Sequence, residues 1–188
     1  MFIYIKYFFY ILKHKYRVFK LMGNPSLNFP CKFSIKRRLL HDMSKFSKEE
    51  FFVYAEHFFG DREKVRDKIS DAFKHHYRHN KHHWQYWNEL GVDMPETYIK
   101  EMIADWMEDG GAKLKFTDYL NVILGPLYSE DHVELKEFSD KIKMTRYSRF
   151  VLSDLLMMLG YFRINGKIKY SPGYEQVGFT RLMGAYCP

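Results

Sequence analysis

Cysteine is nearly absent from this chain. Cys31 and Cys187 are the only two in 188 residues, far apart and in no CxxC pattern. Neither a disulfide framework nor a thiolate zinc site is supported, and a reducing, cytoplasmic compartment is expected. Long apolar runs are missing too. The one that opens "MFIYIKYFFYILKHKYRVFK" covers about twelve residues and is interrupted by Lys6, whereas a membrane-spanning helix needs ~20. The same stretch lacks the small-residue cleavage site of a signal peptide. There is no internal repeat and no low-complexity block. Acidic residues are scarce over residues 1–48, which hold eleven Lys/Arg and one Asp, a local +10 that leaves −3 for the other 140 residues of a chain at +7. A basic end of this kind is either a solvated face or a surface for phosphates, nucleic acid or anionic lipid.

What is abundant points to a packed core. A hydrophobic content of 46% and an aromatic content of 19% exclude a disordered chain and suit a single domain. The first twenty residues read as an amphipathic helix. Ile3, Tyr7, Tyr10, Ile11, His14, Val18 and Leu21 form one stripe, and Lys6, Lys13, Arg17 and Lys20 form another. Such a helix belongs to a core or lies on a membrane surface. The connector "GNPSLNFP" follows, then a helix around Ser34–Met43. "SKEE" (Ser47 to Glu50) is a capping box that opens a helix with Phe51, Phe52, Tyr54, Ala55 and Phe58, ended by Gly60. Val65, Ile69, Phe73 and His76 mark the buried side of the next helix. "DMPE" (Asp93 to Glu96) starts another with the stripe Ile99, Met102, Ile103 and Trp106, and Gly110-Gly111 stops it. Segments 117–128, 131–143 and 145–160 also read as helices, and "YFRINGKIKY" reads as a hairpin around Asn-Gly. The fold class is mostly α, with residues 1–160 as the helical domain and 161–188 as a C-terminal hairpin or loosely ordered tail.

Five of the nine histidines, His75, His76, His79, His82 and His83, fall within nine residues of "KHHYRHNKHHWQYW". A second cluster of polar groups is "LLHDMSK", where His41 and Asp42 sit beside Leu39, Leu40, Met43 and Phe46 and so border a core. Adjacent side chains on a helix point ~100° apart, so the pair converges on one ion only with ligands from other helices. His14, inside the first apolar stripe, and Asp105, between Ala104 and Trp106, are candidates to complete it. Trp84, Tyr86, Trp87 and Trp106 are core residues, or one of them is an aromatic wall on which a base stacks. His57 and His132 take no role.

An early His, a His-Asp dyad, further histidines and a late Asp stand in the order of the HD-domain metal-dependent phosphohydrolases. The chain resembles that superfamily over roughly residues 10–110. More narrowly, "HDMSKFSKEEF", "HHYRHNKHHWQYW" and "MPETYIKEMIADWM" are similar to an uncharacterised family of small phage and bacterial HD-like proteins. The resemblance implies an HD-like helical bundle, encoded by a virus or phage and acting in the host cytoplasm. It implies His14, His41, Asp42 and Asp105 as ligands of one divalent ion (Mn, Mg, Fe, Ni, Co or Zn). "HDMSK" looks like the HDxxK variant of the dyad motif, in which the lysine, here Lys45, contacts a substrate oxygen.

HD proteins with two metals use one histidine from each of two helices for the second ion. On an unbroken helix His76 and His83 would lie ~10 Å apart along the axis. Asn80-Lys81 offers a break, because Asn tolerates the left-handed conformation that ends helices. His76 and His83 are thus expected to serve a second ion. His75, His79 and His82 are surface groups or groups that orient the ligands.

Three functions are compatible with these residues. The first is metal-dependent hydrolysis of a phosphate ester, in a nucleotide or cyclic nucleotide. Lys45, Arg37 and Arg38 would then meet the phosphate-containing small-molecule substrate, Asp42 would bridge the ions, and His79 or His82 would protonate the leaving oxygen. The second is an HD-fold di-iron oxygenase on the same ligands. The third is a non-enzymatic protein whose basic N-terminal segment binds nucleic acid or membrane around a structural metal.

Overall fold

The computed structural model describes residues 2–25, 32–110, 113–124, 142–164 and 167–171. Among these residues the chain forms eight α-helices and one two-stranded antiparallel sheet. The fold is a mostly α bundle with a small hairpin, and no described helix is long and apolar enough to cross a membrane. Residues 131–141 of the expected helix 131–143 and the tail beyond residue 171 lie outside the described residues, and residues 142–143 are not helical.

Helix α1 (Phe2–Leu21) buries Tyr7, Ile11, His14 and Val18, spaced three and four residues apart along one face. Tyr10, read as part of that stripe, lies at its margin and is exposed. Helix α2 (Ile35–Leu40) starts at Ser34, whose hydroxyl accepts the Arg37 N–H at 3.2 Å. It ends three residues earlier than the sequence predicts; His41 and Asp42 are buried as expected, although the neighbouring Leu39, Leu40 and Met43 are exposed. The reason lies on α1. The Lys15 ammonium donates to the carbonyls of Leu39, at 3.1 Å, and His41, satisfying acceptors that a continuing helix would have used. The dyad therefore sits in a turn. His41 closes α2, and Asp42 takes φ 54 before a 3-10 turn, Met43–Phe46. Asp42 is the one non-glycine residue with positive φ among those described, a conformation Asp tolerates better than most.

Helix α3 (Lys48–Phe59) begins where the capping box predicts, but Ser47 makes no side-chain cap and Glu50 turns inward, fully buried. Helix α4 (Ile69–His79) buries Ala72 and His76 and leaves Phe73 exposed, contrary to its expected place in the buried stripe. Helix α5 (Trp84–Leu90) starts just after His83. Helix α6 (Glu96–Gly110) buries Ile99, Met102, Ile103 and Trp106, as its stripe predicts. Helices α7 (Lys113–Ile123) and α8 (Arg146–Met158) follow. Strands β1 (Tyr161–Ile164) and β2 (Lys167–Tyr170) then pair with Tyr161 opposite Tyr170.

Two apolar clusters hold these elements together. The larger joins Val18 of α1 and Met22 just after it to α6, α7, α8 and the hairpin, where Tyr161 and Ile168 are buried. The smaller joins Tyr7 and Ile11 of α1 to Tyr54 and Ala55 of α3 and Ala72 of α4. His14 falls between Ile11 and Val18, at the seam where one cluster gives way to the other.

Candidate metal centre

The seam is polar and buried. His14 from α1, His41 and Asp42 from the turn after α2, and Asp105 from α6 meet there, all buried, with donor atoms within 4.8 Å of one another. His14 Nε2 lies 3.2 Å from both Asp42 Oδ2 and Asp105 Oδ1, and His41 Nε2 lies 3.4 Å from Asp105 Oδ1 and 3.6 Å from Asp42 Oδ2. Donors ~2.1 Å from a common ion stand at such separations from one another. The structure thus brings together the four residues that the sequence singles out for a first ion.

A second group shares Asp42. His76 from α4, with His82 and His83 from the turn before α5, surrounds the other carboxylate oxygen. His82 Nε2 is 3.4 Å and His76 Nε2 3.6 Å from Asp42 Oδ1, and the Nε2 atoms of His76 and His83 are 2.8 Å apart. The predicted break is real: α4 stops at His79 and α5 starts at Trp84. Its geometry differs from expectation, because Asn80 takes an extended φ of −116 instead of a left-handed one. The Asn80 amide nitrogen donates to the His76 carbonyl at 2.9 Å and to the Ser44 hydroxyl at 2.6 Å, which fixes the turn. His82, assigned from sequence to orienting or proton transfer, belongs among the converging donors.

The outer nitrogens of these imidazoles are held by carboxylates that the sequence reading missed. Glu108 meets His14 Nδ1 at 2.7 Å, Glu101 meets His41 Nδ1 at 3.0 Å, and Glu50 meets His76 Nδ1 at 2.8 Å. The other Glu50 oxygen holds His75 Nδ1 at 2.7 Å, so His75 acts through Glu50 and not directly. A carboxylate on Nδ1 fixes the tautomer and leaves Nε2 facing the centre, the arrangement that orients metal-ligating histidines. A signal was present in the sequence. Glu101, Asp105 and Glu108 are spaced four and three apart, one face of α6.

Whether a cation suits this centre is tested by its unsatisfied atoms. His41 Nε2, Asp42 Oδ1, His82 Nε2 and Asp105 Oδ1 are all buried and make no hydrogen bond. Buried polar atoms without partners are costly, and two of them in each donor set, His41 Nε2 with Asp105 Oδ1 and His82 Nε2 with Asp42 Oδ1, fit a cation at each position. The protonation balance agrees. Burial and the Lys45 charge both oppose protonation of His14, yet the surrounding carboxylates of Asp105, Asp42 and Glu108 push it up to about 12. Burial opposes protonation of His41 as well, and the charge of Asp42, the nearby Asp105 carboxylate and the hydrogen bond to Glu101 still push it up to about 9. Burial would raise Asp42, but His41, Lys45 and His76 hold its carboxyl well below the usual range. The centre attracts positive charge. His83 behaves oppositely: burial and the charges of His82 and His76 keep it well below its ordinary value, hence neutral.

Lys45 lies at the edge of this centre, its ammonium 2.6 Å from Asp42 Oδ2 and its side chain 17% exposed. A cavity of about 420 Å³ opens on the His41–His82 side of the centre, lined also by Lys36, Arg37, Lys81 and His79 and not by Lys45. Arg37 stacks 3.9 Å over Tyr98 and donates to Glu101 at 2.7 Å, while its Nη2 is buried without a hydrogen bond. Arg38 does not join it. Its guanidinium donates to the Phe19 carbonyl at 2.7 and 3.0 Å, tying α2 to α1 away from the cavity. His79 is exposed on the rim, its Nδ1–H donating to the His75 carbonyl at 2.8 Å. A second cavity of about 320 Å³ touches His83 and Asp105 and is walled by Trp84, Trp106 and Tyr119. Trp87 instead donates its indole N–H to the Lys81 carbonyl at 2.6 Å and packs on Tyr98.

Every residue of both quartets falls within residues 4–123, the stretch matched by the profile of a family of unknown function (DUF5662), and the chain belongs to that family. No curated protein and no solved structure matches the chain.

Proposed function

We propose that this member of a family of unknown function is a metal-dependent phosphohydrolase acting on a nucleotide or cyclic nucleotide. The observation that carries the reading is the position of Asp42 between two donor sets. Its Oδ2 faces His14 and its Oδ1 faces His82 and His76, the disposition of a carboxylate that bridges two ions. The His-Asp dyad with early and late partners is also the donor order of HD-type enzymes, which supports the same chemistry. His14, His41, Asp42 and Asp105 would hold one divalent ion, and Asp42, His76, His82 and His83 the other. When bound, such ions polarise a phosphoryl oxygen and make water a competent nucleophile near neutral pH.

The chain's own residues supply the rest. The cationic cavity receives the phosphate: Arg37 offers a buried, unpartnered N–H, and Lys36 and Lys81 add positive charge. Lys45, paired with Asp42 Oδ2 at 2.6 Å, would exchange that contact for an equatorial phosphate oxygen once the ions neutralise Asp42. His79 lines the same cavity and belongs to neither quartet. With Nδ1–H committed to the His75 carbonyl, it exchanges a proton through Nε2 with the leaving oxygen. The walls of Trp84 and Trp106 offer a face on which a base stacks.

Metal analysis of the purified protein followed by a nucleotide hydrolysis screen tests the proposal, with Lys45→Ala as the probe. The variant should keep full metal content and thermal stability while phosphate release falls by about 10²–10³-fold. An unchanged rate with metals bound removes Lys45 from the site. A coloured iron pair with oxygen consumption and no phosphate release replaces hydrolysis by oxygenation.

A further inference from the structure

Helix α1 has a second apolar stripe that the fold leaves bare. Phe2, Ile5, Phe9, Leu12 and Tyr16 are spaced three, four, three and four residues apart, so they line one face, roughly opposite the buried Tyr7, Ile11, His14 and Val18. All five are exposed, Phe2 at 69% and Phe9 and Tyr16 at 62%. Large side chains repeating on a solvent face are not what a free surface helix carries. Beside the stripe run Lys6, Lys13 and Lys20. None makes an ion pair among the described residues, while Lys6 lies 4.6 Å over the Phe2 ring and Lys20 5.6 Å over the Tyr16 ring.

From this face we infer that the protein docks on an anionic lipid surface, with α1 lying flat in the headgroup region. Charge selects the occupant. Between Phe2 and Leu21 there is no Asp or Glu, so two copies packed stripe to stripe would bring lysines together with no acid on either helix to pair them. A duplex backbone would satisfy the lysines but leaves five large apolar side chains in water. A bilayer of anionic lipid takes both, with apolar side chains entering the acyl boundary and lysine stems reaching back to the phosphates. The inward face of the same helix holds His14, so docking leaves the metal centre intact. The inference stands on the outer face alone and is independent of the phosphohydrolase reading.

Cosedimentation of the full-length protein with vesicles tests it, using equal parts phosphatidylglycerol and phosphatidylcholine against pure phosphatidylcholine. Wild type should partition onto the anionic vesicles and fall by about tenfold or more on the neutral ones or in high salt. Phe9→Glu with Leu12→Glu, both outward positions, should lose binding to a similar degree while the melting curve stays unchanged. Wild type that stays in the supernatant overturns the inference, as does a double variant that still sediments. A dimer in analytical ultracentrifugation that the double variant dissolves, with no vesicle binding, assigns the face to a second copy. Retention of duplex DNA that Lys13→Glu removes and the double variant preserves, again with no vesicle binding, assigns it to nucleic acid.

Discussion

In the quartet of His14, His41, Asp42 and Asp105 every side chain is buried, and both histidines are braced through Nδ1 by Glu108 and Glu101 at 2.7 and 3.0 Å. In the quartet of Asp42, His76, His82 and His83, only His76 is braced as closely, by Glu50 at 2.8 Å. His82 stands 3.4 Å from Glu101, and His83 is only partly buried at the start of α5. The first is assembled from α1, α6 and a strained turn, the second largely from one short connection between α4 and α5. Donors that are preoriented and dry bind an ion more tightly than donors that must be ordered in partial solvent. The difference teaches that the two positions are unequal, so that on the proposed reading the inner would hold an ion more tightly than the outer.

Asp42→Asn gives the largest effect, because it strikes the one residue both positions share. Asn tolerates the positive φ and keeps the shape, so the fold should survive while elemental analysis finds neither ion after dialysis. One retained ion per chain would show that Asp42 does not bridge. Next come the braces, taken one from each side. Glu108→Gln should weaken only the tighter ion and Glu50→Gln only the weaker one, each by about 10–100-fold in calorimetric titration. Equal losses at both positions from either variant would erase the distinction.

The smallest effect is on pH. In the metal-free protein the raised His41 contributes stability that is fully present below 6.5 and lost as pH rises toward about 9. Chelated protein should therefore melt a few degrees lower at pH 9 than at pH 6.5. Metal-loaded protein, whose imidazoles bind as neutral ligands, should not show that decline. Parallel curves for the two forms would mean that His41 carries no proton in the metal-free centre.

How far the sequence carried the reading depended on whether a signal was local. The helices of α1 and α6 follow from apolar stripes, and the hairpin strands from short alternating runs. His14, His41, Asp42, His76, His83 and Asp105, singled out on the resemblance to HD-type proteins, do converge. Glu50 was hidden because Ser47-x-x-Glu50 has the form of a cap, and only packing against α4 shows the carboxylate turned to His75 and His76. Glu101 and Glu108 were hidden because acids on a helix ordinarily face water, and their partners lie on α1 and after α2. The end of α2 depended on Lys15, a cation twenty residues upstream of Ile35, which local propensity does not register. Arg37 and Arg38 are indistinguishable as adjacent letters, yet one lines the cavity and the other grips the Phe19 carbonyl.

His14 and Asp105 are 3.2 Å apart in space and 91 residues apart in the chain. Whatever joins them therefore closes a long loop. A covalent link over such a distance would remove on the order of 4 kcal/mol of unfolded-chain entropy, and a tightly held ion imposes a looser version of the same restraint. An ion held at the inner position would thus be a topological staple as well as a chemical centre. It would lock the first helix onto the sixth, so stripping it should first release α1, carrying its bare outer stripe with it.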